Sequence, residues 1–65
     1  MSKIRLKELR EDKGISQTQL AREIGIDQRT ISNYEIGKTE PNIQAIKIFC
    51  DYFEVTAGYL LGLED

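Results

Sequence analysis

The stretch QTQLAREIGIDQRTISNYEI, residues 17–36, decides the fold of this chain. Its apolar residues recur at helical spacing on both sides of Gly25, a residue type suited to a left-handed turn. Ala21 is small enough to let two helices approach each other closely. The stretch therefore predicts one helix over 17–24 and a second over 28–36, joined by a tight turn.

The same kinds of signal predict three more helices outside this stretch. Glycines able to end a helix in the left-handed conformation follow the helical patterns at Gly14, Gly25, Gly37 and Gly62. Residues that favour helix starts come after the breaks at Ser16, Asp27, Asn42 and Thr56. Gln19, three residues after Ser16, completes the spacing of a capping box.

The sequence shows no sustained period-two alternation, the pattern that indicates a strand. The fold predicted is an all-α, compact five-helix bundle with helices near 3–13, 17–24, 28–36, 43–54 and 57–61. Apolar residues at helical spacing predict the core-facing sides of the first four helices: Leu6, Leu9, Leu20, Ile24, Ile31, Tyr34, Ile46, Phe49, Cys50 and Phe53.

The composition indicates one small domain, residues 1–65, and argues against an enzyme. One Cys and no His leave no internal disulfide, no four-ligand zinc site and no Ser–His or Cys–His catalytic pair. We therefore expect no catalytic residue, no metal and no cofactor. No apolar run exceeds three residues, as at 59–61, which is too short to cross a membrane, and no signal segment follows the first charges. A cytoplasmic location is expected.

The charge is distributed unevenly along the chain. The whole chain carries a formal net charge of −2. Residues 1–38 carry a net +2 and residues 39–65 a net −4. Such a chain can present a basic face and an acidic back, although an ordinary solvated surface gives similar numbers.

The second helix of the deciding stretch presents a polar face typical of base recognition. Ile31 and Tyr34 face the core, so Arg29 and Asn33 point away from it, at about 100° per residue. Arg suits guanine, and Gln or Asn suits adenine, in the major groove. The candidates for base readout are Gln28, Arg29, Ser32 and Asn33. The alternative is an ordinary polar helix surface.

With these residues in view, the chain resembles the phage repressor/Cro-type (XRE-like) helix-turn-helix DNA-binding domain. The resemblance covers 4–62 and is carried by GISQTQLA (14–21), SNYEIGKTEPN (32–42) and GYLLG (58–62). It implies a lambda-repressor-like fold whose second and third helices form the DNA-binding unit. It also implies dimeric binding to operator half-sites about one helical turn apart.

The resemblance also implies contacts to the DNA backbone. Gln17 corresponds to a glutamine that contacts a phosphate, and Asn42 to a residue at a helix N-terminus near the backbone. The complete set of phosphate candidates is Arg10, Ser16, Gln17, Lys38, Thr39 and Asn42. For Ser16, Gln17 and Asn42 the alternative is local helix capping.

A structural pair and a dimer surface complete the expected site. The resemblance places Arg10 on the first helix against Glu35 at the end of the third; the alternative is two independent surface charges. The last helix carries more apolar residues than it can bury by itself. We expect a dimer interface formed by Tyr59, Leu60, Leu61 and Leu63, the alternative being a slightly apolar terminus.

Two departures from the family pattern concern Gly58 and Glu40. Gly58 stands where an acidic residue is common, and we expect it to make the last helix less rigid. Glu40 stands where more basic members carry cations, and we expect it to weaken the phosphate contacts on that side.

The sequence thus predicts a sequence-specific regulator of transcription, acting on a double-stranded DNA operator as a homodimeric repressor, with no small-molecule ligand. The alternative is a protein-interaction module of the same fold, whose acidic half meets a basic partner. Affinity for duplex DNA that falls steeply with salt separates the two.

Overall fold

The structure is a computed structural model that describes residues 4–64. Within this range the chain forms five α-helices and no strand. In chain order they are α1 (Leu6–Asp12), α2 (Gln17–Ile24), α3 (Gln28–Glu35), α4 (Ile43–Phe53) and α5 (Ala57–Leu60). The predicted all-α, five-helix architecture is confirmed. Lys3, at which the first helix was predicted to begin, lies outside the described residues.

All four predicted N-caps are formed by side-chain oxygens that accept a backbone N–H from the first turn. The acceptors are Ser16, Asp27, Asn42 and Thr56. The predicted capping box is only half present. The Gln19 amide donates to the Glu23 carboxylate (3.1 Å) instead of returning to the N-cap residue. Gln19 therefore stabilises the exposed side of α2 rather than its start.

The first helix starts later than predicted because the preceding residues are bound to α5. The Arg5 N–H donates to the Leu60 carbonyl (2.8 Å), and the Arg5 Nε donates to the Tyr59 carbonyl (2.9 Å). These bonds hold the chain along α5, and Arg5 does not adopt a helical conformation.

Four helices end one residue before their predicted limits. The residues that follow them act as C-caps: Lys13, Ile36, Glu54 and Leu61. Glu54 is unusual among them because its φ of 58° lies in the left-handed region, where glycine is preferred. No glycine stands at this position, so a left-handed cap could not be predicted there from residue types.

The turn inside the deciding stretch has the predicted form. Gly25 has φ 75° and donates its N–H to the Ala21 carbonyl (2.9 Å), to which the Ile26 N–H also points (3.3 Å). This left-handed cap stops α2 abruptly and lets α3 start three residues later. The turn thereby fixes the angle between the two helices that the resemblance assigns to DNA binding.

Each helix contributes to one buried core. The fully or almost fully buried apolar residues are Leu6, Leu20, Ile31, Ala45, Phe49 and Leu60. Tyr34 packs edge-on against Phe49, with ring centroids 6.0 Å apart. The expectation that Leu60 lies in a dimer interface is wrong, because this side chain has no exposed surface. Cys50 is half-buried beside this core, and burial raises the pKa of its thiol.

A polar contact connects α2 and α4 on the surface. The Tyr52 hydroxyl donates to the Glu23 carboxylate, and this bond holds the pKa of Glu23 below its usual value, with a smaller effect from Gln19. The Lys13 ammonium lies 5.3 Å from the centroid of the Tyr52 ring. This corner of the bundle is therefore closed by polar side chains.

Gly58 lies next to the side chain of Glu64. A Cβ at this position would collide with the Glu64 carboxylate. That carboxylate accepts a hydrogen bond from Thr56 Oγ1 (3.0 Å), the N-cap of α5. The colliding atoms belong to a flexible, exposed side chain, so a small shift of Glu64 is enough to accommodate a Cβ at Gly58. None of the helices among residues 4–64 is long and apolar enough to span a membrane.

Candidate nucleic-acid interface

The candidate base-reading residues lie on α3, on both of its turns. Gln28 and Arg29, at the start of the helix, are exposed. Ser32 and Asn33, one turn later, are half-buried. Ile31 is fully buried between them and fixes which side of α3 faces the core. The first turn of α3 therefore offers the more accessible side chains to a partner.

Arg10 and Glu35 form a two-point ion pair between α1 and α3. Arg10 Nε lies 2.7 Å from Glu35 Oε2, and Arg10 Nη2 lies 3.2 Å from Oε1. The side chains are only 11% and 2% exposed. This hydrogen bond, ahead of the charge attraction, raises the pKa of Arg10. The pair that the resemblance implied is present, and it holds the end of α3 against α1.

The same geometry shows which N–H groups of Arg10 are used within the protein. Its third guanidinium nitrogen, Nη1, donates to the Ile15 carbonyl (2.8 Å). All three nitrogens thus face protein acceptors, and the side chain is turned inward. Arg10 thus has a structural role that uses three of the five N–H groups of its guanidinium. The expected contact with a phosphate stays a prediction.

Gln17 joins this pair to the base-reading face. Its Nε2 donates to Glu35 Oε1 (2.8 Å), and its Oε1 accepts from Gln28 Nε2 (2.6 Å). Four side chains from three helices thereby form one hydrogen-bonded row from Arg10 to Gln28. Sequence reasoning did not predict the bond between Gln17 and Gln28. The only signal was that both are glutamines near the starts of consecutive helices.

The remaining phosphate candidates lie at helix starts and in the loop after α3. Ser16 is exposed and caps α2, and Gln17 is the first residue of that helix, whose N–H has no acceptor within the helix. Asn42 is exposed and caps α4. Capping therefore occurs at both helix starts, and it leaves other first-turn N–H groups available to an anion.

The loop after α3 is held close to the end of that helix. Lys38 and Thr39 are exposed, and both donate their backbone N–H to the Asn33 carbonyl (2.9 and 3.5 Å). Glu40 is exposed in the same loop. The loop thus presents one cation and one carboxylate beside α3, a weaker attraction for phosphate than two cations would give.

Two exposed isoleucines flank this loop and were not predicted as surface residues. Ile36 is 62% exposed and Ile43 is 77% exposed. Ile36 is the C-cap of α3 and Ile43 is the first residue of α4, and neither belongs to a core-facing stripe. They give the edge of the candidate interface an apolar component.

The C-terminal residues proposed for dimerisation are placed differently from one another. Leu63 is 79% exposed, and Tyr59 and Leu61 are half-buried. The Arg5 guanidinium lies over the Tyr59 ring, 4.5 Å from its centroid. With Leu60 in the core, the apolar surface left at this end consists of Leu61, Leu63 and part of Tyr59.

Comparison with known proteins agrees with this geometry. The helix-turn-helix family model matches residues 6–60. The HTH-type transcriptional activator BcrR of Enterococcus faecalis is 36% identical over 61 residues, 94% of this chain and 30% of that protein. The HTH-type transcriptional regulator AnsR of Bacillus subtilis is 38% identical over 60 residues, 92% of this chain and 52% of that protein.

A third relative is the SPbeta prophage-derived HTH-type transcriptional regulator YonR of Bacillus subtilis, 37% identical over 57 residues, 88% of this chain and 53% of that protein. This chain therefore spans about half or less of the length of the three relatives. No solved structure matches it significantly. Because the family model covers nearly all of the five-helix bundle, the chain belongs to the XRE/Cro/C1-type helix-turn-helix family of DNA-binding transcriptional regulators.

Proposed function

We propose that this chain binds a specific double-stranded DNA operator as a homodimer, with α3 of each copy in the major groove, and represses transcription. The observation that carries the proposal is the exposed first turn of α3, where Gln28 and Arg29 stand side by side. This end of the recognition helix is the one that helix-turn-helix proteins direct to base edges. Ser32 and Asn33 extend the surface by one turn.

The buried ion pair supports this proposal because it makes α3 a rigid reading element. Base recognition depends on side chains held in a defined orientation relative to the groove. Arg10 on α1 grips Glu35 at the last residue of α3, while Ile31 anchors its middle in the core. Gln28 and Arg29 are therefore presented from a helix that is fixed at two points.

Contacts to phosphates are proposed for Ser16, Gln17, Lys38, Thr39 and Asn42. These residues lie at the starts of α2 and α4 and in the loop after α3. Such contacts set the position of the protein on the duplex and carry no sequence information. For Gln17 the contact would come from its backbone N–H or from the second N–H of its side-chain amide, since the first donates to Glu35. A phosphate contact is proposed for Arg10 as well, through the N–H groups that its bonds to Glu35 and Ile15 do not use.

Dimerisation is proposed through the exposed apolar end formed by Leu61, Leu63 and part of Tyr59. One recognition helix contacts few base pairs, so two copies give a useful operator affinity.

Occupying an operator is enough to repress, and no catalytic step is needed. One relative is described as an activator. A transcription assay with the operator at different distances from a promoter therefore tests whether this chain represses or activates. The proposed place of action is the cytoplasm.

Selection of bound duplexes from a random pool tests the proposal and yields the operator. The expected result is a motif with two related half-sites about one helical turn apart. Enrichment of no sequence would contradict the proposal. In that case a complex with a basic protein would support the alternative of a protein-interaction module.

A further inference from the structure

Ile36 lies on the side of α3 that faces away from the core. It keeps a right-handed helical conformation and donates its N–H to the Ser32 carbonyl (3.1 Å), so it continues the path of the helix. At about 100° per residue, the step from Arg29 to Ile36 brings the side chain back to within about 20° of the direction of Arg29. The buried Ile31 points to the opposite side. Ile36 is therefore aligned with a candidate for base readout.

The row of side chains that Arg29 begins thus ends in an apolar residue. Asn33 stands between the two, within about 40° of the direction of Arg29, and Ile36 lies about 10 Å beyond Arg29 along the helix axis. The loop after Ile36 turns back through Gly37, whose φ is 79°, and the Lys38 N–H donates to the Asn33 carbonyl (2.9 Å). Ile36 is nevertheless 62% exposed. The loop therefore leaves it open to whatever the row contacts.

An exposed isoleucine adds to binding only where it meets an apolar group. Apolar contact is favourable, whereas an isoleucine placed against a polar base edge removes water from groups that it cannot hydrogen-bond. The base edges in the major groove carry donors and acceptors, and the one apolar group among them is the C5-methyl of thymine. Thymine is therefore the base that matches the chemistry of this side chain.

We propose that Ile36 is a specificity-determining residue that contacts the C5-methyl group of one thymine in each operator half-site. The inference rests on the proposed function, because it assigns a base to a further position of the recognition helix. The reason for choosing DNA as the occupant over a second protein is that Ile36 continues the row formed by Arg29 and Asn33. The contact distinguishes thymine from cytosine, which has no methyl group at C5, and adds nothing to the attraction for phosphates.

The test replaces thymine by deoxyuridine, which removes only the methyl group. The probes are duplexes of the selected operator in which each thymine of one half-site is replaced in turn. For the wild type we expect one replacement to weaken binding about fourfold, the effect of burying one methyl-sized group. In Ile36→Ala this replacement should have no effect, and affinity for the unmodified operator should fall by a similar factor. Such non-additivity identifies two groups in contact.

Two more variants separate contact with the methyl group from other roles. Ile36→Val keeps a branched apolar side chain and should retain most of the response to deoxyuridine. Ile36→Asn supplies hydrogen-bonding groups instead and should lose the response. If Ile36 lay against the DNA backbone, Ile36→Asn would bind every duplex at least as tightly as the wild type, because asparagine can donate to a phosphate.

Ile43→Ala is the matched control. Ile43 is 77% exposed but begins α4, so it lies outside the row on α3. Whatever the overall affinity of Ile43→Ala, it should keep the wild-type response to deoxyuridine. Circular dichroism confirms that each variant is folded, and Ile36→Asn provides the answer if Ile36→Ala is not.

The inference and the proposed function fail in different ways. The inference would be overturned, with the proposed function intact, if no thymine of the operator responded to deoxyuridine or if every response were the same in a folded Ile36→Ala. Wild-type affinity of Ile36→Ala for the operator would also overturn it and leave Ile36 to contact a protein instead. A wild type that enriches no sequence would overturn the proposed function and the inference together.

Discussion

Arg29 is the only cation on α3, and its exposed position at the first turn makes it the main candidate for reading a base. A guanidinium can satisfy both guanine acceptors at once. Arg29→Ala should cost about 1–3 kcal/mol on the best site and flatten preference at one position per half-site. Arg29→Lys should not restore binding fully, because an ammonium lacks the planar fork. Full rescue by lysine, with wild-type preferences in the alanine variant, would show that Arg29 contacts only a phosphate. Binding-site selection on the three proteins decides.

Glu35 should contribute strongly to stability, because its removal leaves Arg10 buried and unpaired. We expect Glu35→Ala to destabilise the fold by about 3–5 kcal/mol, the usual cost of breaking a buried pair. Replacing both residues, as in Arg10→Met with Glu35→Met, should recover part of this loss. Urea denaturation followed by circular dichroism measures both. Arg29→Ala is the control and should unfold like the wild type. A loss below about 1 kcal/mol for Glu35→Ala would mean that the pair behaves as a surface ion pair.

Some residue roles followed from the sequence and others did not. The four N-cap residues were predictable because Ser, Asp, Asn and Thr have one short side chain suited to that position. The pairing of Arg10 with Glu35 came only from the family resemblance, since 25 positions separate them and no local rule brings them together. The hydrogen bond from Gln28 to Gln17 depends on how α2 and α3 cross, which residue types alone do not specify.

At the scale of the helix, the C-cap of α4 offers a test of backbone conformation. Glu54 has φ 58°, a conformation that costs a non-glycine residue free energy. Glu54→Gly should therefore stabilise the protein by about 0.5–1 kcal/mol. Glu54→Ala is the matched control: it removes the same carboxylate but keeps a Cβ, so it should not gain stability. Thermal unfolding of both variants checks this, and equal midpoints would contradict the account.

Helix locations were predicted better than helix ends. α2 begins and ends where the deciding stretch indicated, because Ser16 and Gly25 mark its limits. The start of α1 was wrong because Arg5 is bound to the end of α5, a contact between residues distant in sequence. The assignment of Leu60 to the dimer interface was wrong for a different reason. A helix of four residues has too little pattern to show which of its apolar side chains faces the core.

At the scale of the whole molecule, dimerisation should depend on the exposed apolar end. Leu63 is 79% exposed, so Leu63→Lys should leave the fold unchanged while weakening assembly on an operator with two half-sites. Leu60→Ala is expected to destabilise the monomer by about 2–5 kcal/mol instead, because it opens a cavity in the core. Sedimentation on the operator compares the variants. A Leu63→Lys protein that loads two copies as tightly as wild type would place the dimer contact elsewhere.

If this chain reads the sequence of duplex DNA, it must prefer its operator over other duplexes of the same composition. The affinity of the protein is determined for the selected operator and for a duplex of the same length and composition with its half-sites shuffled. Titrations at about 50 mM and about 200 mM salt show the contribution of phosphate contacts. The higher salt concentration should weaken both complexes. The prediction is that the operator binds at least about 1,000-fold more tightly than the shuffled duplex at physiological salt. Equal affinity for the two duplexes would contradict the claim.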